Sequence, residues 1–193
     1  MPLYNLPTQP PILFIHIPKV AGTTVEFAME KYFLGFLDRT FSGLFFPCSP
    51  QHFHREILEN ILDRSLCERS FTVVRHPLKR FISEYKFQRR YFNLNDNFES
   101  WANSTIEKYK SDKYIFDNHI RPQNEFPFPR TKVFKLENGL VELSDFLKDK
   151  HNIEVNFGNM KEMNSGELEV EFSKSLLTKI EDFYHADFEK FNY

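Results

Sequence analysis

Apolar residues in this chain fall in short unbroken runs that alternate with stretches of helical spacing. Ile12, Leu13, Phe14 and Ile15, continued by His16 and Ile17, form the first run. It is apolar on both faces, as a central parallel strand is, and it stops at Pro18. Beyond Gly22, Val25, Ala28, Met29, Tyr32, Phe33 and Phe36 keep helical spacing. Residues 18–24 are therefore predicted to be a strand-to-helix turn, the place where α/β folds seat a ligand. Residues 40–50, with Gly43, Pro47 and Pro50, read as irregular, and Ile57, Leu58, Ile61, Leu62 and Leu66 mark a second helix. Phe71, Thr72, Val73 and Val74 form a second buried strand ending at Arg75. Leu78, Phe81, Ile82, Tyr85 and Phe92 then set a third helix, with Pro77 suited to its first turn. Phe98, Trp101, Ala102, Ile106 and Tyr109 predict another helix, and residues 132–136 another strand, with a proline-punctuated loop over 117–129 between them. A last helix carries Leu176, Leu177, Ile180, Phe183, Tyr184, Phe188 and Phe191 on one face. Strands alternating with helices predict an α/β fold, a three-layer α/β/α sandwich around a central parallel sheet. The expected organisation is a single domain over 1–193 with residues 1–11 as an irregular lead-in.

Composition narrows the function. With 193 residues, the chain is long enough to bury a full core without covalent staples. A net charge of −2 excludes the broad positive field that nucleic acid or an anionic membrane surface would require, so any anion must be held by a local site. Cys48 and Cys67 are too few for a disulfide framework, lack zinc-site spacing and read as reduced structural thiols. The opening MPLYNLPTQPP is too polar and too proline-broken for a signal peptide, and no apolar run reaches membrane-spanning length. The expectation is a soluble, cytoplasmic protein.

Two segments carry phosphate chemistry. Pro18, Lys19, Val20, Ala21, Gly22, Thr23 and Thr24 place a bend, a cation, a small residue, a glycine and two hydroxyls just before a helix. Free N–H groups and the helix dipole favour an anion there, and Gly22 would permit close approach. The lysine precedes the glycine and no Gly-Lys-Ser/Thr occurs, so the order is not that of a Walker loop. In the second segment Arg75 ends a strand and Ser83 follows eight positions later on the next helix, a guanidinium and a hydroxyl that could grip a separate phosphate. The plainer alternative is that Lys19 and Arg75 solvate strand ends while Thr23 and Thr24 cap a helix.

At these residues the sequence resembles the carbohydrate-type, family 2 sulfotransferases, the group of heparan 2-O- and chondroitin sulfotransferases with many bacterial relatives. Ser49-Pro50-Gln51-His52, the run from Asp117 through His119 and Arg121 to Gln123, Leu136-Glu137-Asn138 and Tyr184-His185-Ala186-Asp187-Phe188 extend the likeness along most of the chain. The resemblance implies a P-loop-nucleotide-kinase-like sulfotransferase fold and 3′-phosphoadenosine 5′-phosphosulfate (PAPS) as donor, with no metal required. It sets Lys19, Ala21, Gly22, Thr23 and Thr24 on the 5′-phosphosulfate and Arg75 and Ser83 on the 3′-phosphate. The partner would be a hydroxyl acceptor, a glycan or glycoconjugate.

In-line transfer needs charge stabilised on the leaving oxygen, a task suited to Lys19, and a base for the acceptor hydroxyl. His52, after a Ser-Pro turn and aligned with the family's base position, is the first choice; His54, two residues on, is the second. His119, Arg121 and Gln123 are candidate cofactor or acceptor contacts, and Glu137 and Asn138 read as structural. Two other functions compete: an atypical nucleotide kinase, which would bind triphosphates with Mg²⁺, and a PAP-binding protein without catalysis. The sequence sets no oligomeric state.

Overall fold

The computed structural model describes residues 1–7, 9–35, 37, 46–157 and 170–193. Four strands, β1 (Leu3–Tyr4), β2 (Ile12–Ile15), β3 (Ser70–Val74) and β4 (Lys132–Lys135), lie side by side in that order. β2 and β3 are parallel, with Phe14 opposite Phe71, and β3 and β4 are parallel, with Val73 opposite Phe134. β1 runs antiparallel to β2 and pairs Leu3 with Leu13. The sheet is thus mixed, three of its strands parallel, and flanked by helices. The lead-in is not irregular throughout, as its composition suggests. It contributes an edge strand, because Leu3 and Tyr4 can pair with the apolar run ten residues later.

The helices are α1 (Gly22–Ala28), α2 (Arg55–Ile61), α3 (Arg64–Glu68), α4 (Pro77–Tyr91), α5 (Phe98–Ser111), α6 (Val141–His151), α7 (Lys174–Phe183) and α8 (His185–Phe191). Three expected helices are shorter or broken. The helix after Gly22 ends at Ala28 and passes into a 3₁₀ turn, Glu30–Tyr32; Phe36, read as its last apolar position, lies outside the described residues, as do 40–45 of the irregular stretch. The helix through Leu66 is two helices, because the Asp63 carboxylate accepts from the Ser65 N–H and starts a new one. The last helix breaks at Tyr184, where the chain turns to bring Asp187 inward. α6 is an addition to the expected elements, although Leu140, Leu143 and Leu147 have helical spacing.

Two apolar clusters hold these layers. One surrounds the sheet, with Phe14 stacked on Phe71 at 5.0 Å and α6 contributing Leu143, Leu147 and Phe146. The other joins α4, α5 and α7 through Phe81, Tyr85, Trp101, Ile106, Ile180 and Tyr184. Cys48 and Cys67 are free and buried. Among the described residues no helix is long and apolar enough to cross a membrane. Because β2, β3 and β4 are parallel, their following segments leave the same edge of the sheet, and the candidate site forms there.

Candidate functional site

A cavity of about 1160 Å³ opens at that edge. Its walls include Lys19, Ala21, Gly22, Thr23 and Thr24 after β2, Arg75 and Ser83 after β3, and His52 and His119 from two intervening segments. These candidate residues therefore meet in one space, while His54 lies outside its lining. His54 is buried, with its ring 5.9 Å from that of Tyr114 and Nε2 3.6 Å from the Glu56 carboxylate.

The turn after β2 has an unusual backbone. Lys19 and Ala21 both take positive φ, 70° and 66°, so the chain alternates hand just before α1. Such alternation turns successive N–H groups toward one side and forms an anion-binding concavity. Ala21 is the N-cap and supplies no side-chain cap; the threonines sit inside the helix, so the alternative in which they cap it does not hold. Gly22 has a reason in addition to the one expected. A Cβ there would lie 2.4 Å from His16 Nε2, so the glycine lets the imidazole pack beneath the turn. Lys19 Nζ stands 3.9 Å over the Phe87 ring. Burial lowers the Lys19 pKa, Glu84 opposes this, and Arg75 adds to it.

Arg75 is placed by Gln123. The Arg75 N–H donates to Gln123 Oε1 at 2.9 Å, and Gln123 Nε2 donates to the Arg75 carbonyl at 2.8 Å. The Gln123 N–H in turn donates to Asp187 Oδ2. Gln123 is fully buried and does not line the cavity. Arg121 is likewise buried, its guanidinium taken up by Asn118, Glu125 and the Lys113 carbonyl. The expected acceptor or cofactor contacts of Arg121 and Gln123 are therefore replaced by positions behind the cavity wall, where both brace the loop.

Three imidazoles gather beside the phosphate turn. The His16 and His52 rings are 5.4 Å apart and those of His52 and His119 are 4.7 Å apart. Each faces a carboxylate through Nδ1: His16 with Glu26, His52 with Asp117 Oδ2 at 2.8 Å, and His119 with Glu84 Oε2 at 2.7 Å. Burial opposes ionisation of Asp117, but His52 and the Ser49 N–H more than offset it and hold the carboxyl at about 2. An ionised carboxylate only accepts, so Nδ1 of neutral His52 carries the proton and Nε2 keeps its lone pair. Burial is also what brings the His52 pKa down to about 4, outweighing the Asp117 hydrogen bond; His119 and His16 lower it further. Glu84 is below its ordinary value too: burial would raise it, and His119, Gln88 and Lys19 outweigh that.

These shifts predict how stability follows pH. A histidine whose folded pKa lies below its unfolded value of about 6.5 is protonated first in the unfolded chain. Its contribution is full above about pH 6.5 and is lost as pH falls toward 4. His16, lowered chiefly by burial, acts in the same sense. The unfolding free energy read from urea titration should therefore drop between pH 7.5 and 5, by at most about 1.4 kcal/mol per pH unit for each group. In His52→Gln the slope should flatten; an unchanged slope would remove His52 as its source.

The loop that supplies Asp117 and His119 is held under strain. Phe116, Asp117 and Asn118 have φ of 53°, 58° and 69°, three successive left-handed residues. Asn118 Nδ2 donates to the His52 carbonyl at 2.7 Å and Arg121 Nε donates to Asn118 Oδ1 at 2.7 Å. Arg80, 1 % exposed, donates to the carbonyls of His119 and Arg121, and the Tyr184 hydroxyl donates to that of Ile120. Sequence reasoning does not find Glu84, Arg80 or Asp187 as supports of the site. Asp187 falls in a block that carries the family resemblance without a stated role, and Arg80 and Glu84 show only as charges on an otherwise apolar helix face beside Phe81 and Tyr85.

The model of the sulfotransferase family matches residues 4–193, which takes in both phosphate-type turns, the His52 segment and the loop through Gln123. Comparison with curated proteins and with solved structures gives no significant match. The match spans nearly the whole chain and every wall of the cavity described above, and the chain belongs to the sulfotransferase family.

Proposed function

We propose that this protein is a PAPS-dependent O-sulfotransferase acting on a hydroxyl of a carbohydrate or glycoconjugate, with 1–193 working as one catalytic domain. The observation that carries the reading is the placement of a carboxylate-oriented imidazole, His52 with Asp117, in the same cavity as the Lys19–Ala21 turn and the Arg75/Ser83 pair. The cavity has the features the donor calls for: a left-handed turn for one phosphate, a guanidinium and a hydroxyl for another, and volume for a nucleotide.

The donor would supply an activated sulfuryl group and a phosphate leaving group. Arg75 and Ser83 hold the 3′-phosphate, which fixes the register of the nucleotide. The turn over 19–24 holds the 5′ end, and Lys19 compensates charge on the oxygen that leaves. His52 accepts the proton of the acceptor hydroxyl at Nε2 as that oxygen bonds to sulfur and the bond from sulfur to the phosphate oxygen breaks. Asp117 keeps the imidazole in the required tautomer and stabilises the imidazolium. Gln123 and Arg121 act by positioning Arg75 and the loop.

Calorimetric titration with PAP, with ATP as comparison and EDTA throughout, tests the donor site. PAP binding well above that of ATP supports the reading, and absence of PAP binding by the folded protein overturns it. Binding without sulfation of any acceptor in a screen with labelled PAPS would leave a non-catalytic nucleotide-binding protein. Arg75→Ala should weaken PAP far more than adenosine 5′-phosphate, by about tenfold or more for a lost charge-assisted pair. Equal losses would separate Arg75 from the 3′-phosphate.

A further inference from the structure

General base catalysis needs one imidazole and one carboxylate to orient it. The site holds more than that. One nitrogen of His52, one carboxylate oxygen of Asp117 and one nitrogen of His119 all lie within 4.8 Å of one another. They come from two segments 65 residues apart, so the sequence shows Asp117 and His119 as a close pair but not the third ligand. We propose that His52, Asp117 and His119 form a binding site for a zinc-class divalent transition ion, and that the bound ion blocks transfer.

The donor set selects the class of ion. Two imidazoles with one carboxylate suit Zn²⁺ and its neighbours, whereas Mg²⁺ and Ca²⁺ favour oxygen ligands alone. Zinc bonds of about 2.0–2.2 Å bring tetrahedral ligand atoms to roughly 3.4 Å from one another. The ligand atoms, within 4.8 Å of one another, would draw together by side-chain rotation on binding. The supports that metal ligands require are already in place. Glu84 Oε2 accepts from His119 Nδ1, and Glu84 is itself held by Gln88 Nε2 at 2.6 Å. The Ser49 N–H holds the second Asp117 oxygen. A carboxylate behind a ligating imidazole fixes its tautomer and raises its basicity. His52 and His119 both line the cavity, which leaves room for a water or an anion oxygen in the remaining position. His16 stands apart from the set, because its ring is packed beneath Gly22.

The blocking effect rests on His52 acting as the base, since the ion and the acceptor proton then compete for one imidazole. The binding itself does not depend on that reading. The test is calorimetric titration of the metal-stripped protein with Zn²⁺, with Mg²⁺ as comparison. One Zn²⁺ per chain is expected, with affinity falling about tenfold or more in His119→Gln and in Asp117→Ala and unchanged in His185→Ala, a histidine exposed on α8. The urea midpoint of each variant reports that it is folded, and PAP affinity is measured on the same samples. No stoichiometric Zn²⁺ binding, or binding that the first two substitutions leave intact, overturns the site. A protein that binds PAP but not Zn²⁺ loses the metal site alone; one that binds Zn²⁺ but not PAP loses the donor reading alone. With an acceptor in hand, Zn²⁺ should reduce transfer about tenfold or more at saturation and EDTA should restore it. Zn²⁺ bound without inhibition overturns the blocking role.

Discussion

His52→Ala is expected to lower transfer by about 10²-fold or more while leaving PAP affinity unchanged. The split follows from where His52 sits. Its Nδ1 is committed to Asp117, and its carbonyl, which the substitution keeps, holds Asn118. The turn after β2 and the Arg75/Ser83 pair belong to other segments, so donor binding should survive. The assay is turnover of labelled PAPS with a screened acceptor, alongside PAP calorimetry. A joint fall in PAP affinity and turnover would make His52 part of the donor site. Near-normal turnover would take the base role from His52. It would point to His119, whose ring is 4.7 Å away and shares the cavity, ahead of His54, which lies outside the lining.

Arg80→Met is expected to destabilise the protein by about 3 kcal/mol or more, read as a lowered urea midpoint. Arg80 is among the largest fully buried side chains, and its guanidinium lies 5.3 Å from the Tyr184 ring. Methionine keeps much of the apolar stem but leaves the carbonyls of His119 and Arg121 without their charged donor. Those two residues follow directly on the left-handed run that aims Asp117 at His52, so transfer should fall along with stability. A loss under about 1 kcal/mol would show that the Tyr184 hydroxyl and the Asp187 carboxylate suffice to hold the loop.

Much of the candidate site is legible in the amino-acid sequence, and the legible parts are contiguous. The run from Ile12 through Thr24 and the run from Phe71 through Ser83 each contain a whole strand, turn and helix start, so local pattern finds them. The loop residues behave differently. Arg121 and Gln123 read as ligand contacts because polar residues in a long loop usually meet solvent or substrate. Their actual partners, Asn118, Glu125, Asp187 and the Arg75 backbone, include groups distant in sequence. Gly22 reads as a point of anion approach, and only the fold shows that the atom excluding a Cβ there belongs to His16.

The helix ends follow the same division. Asp63 is a capping residue in plain view, so the break between α2 and α3 can be found from the chain alone. The break at Tyr184 cannot, because its reason is the demand of Gln123 and Asn124 for the Asp187 carboxylate 63 or 64 residues away. Alternating strands and helices, two phosphate-type turns and a histidine after a Ser-Pro turn were determined by the sequence itself, since propensity and periodicity act over a few residues. Which histidine enters the cavity, which carboxylate orients it and which loop residues only support it were decided by the tertiary structure, because burial and long-range hydrogen bonds exist only once the distant segments meet.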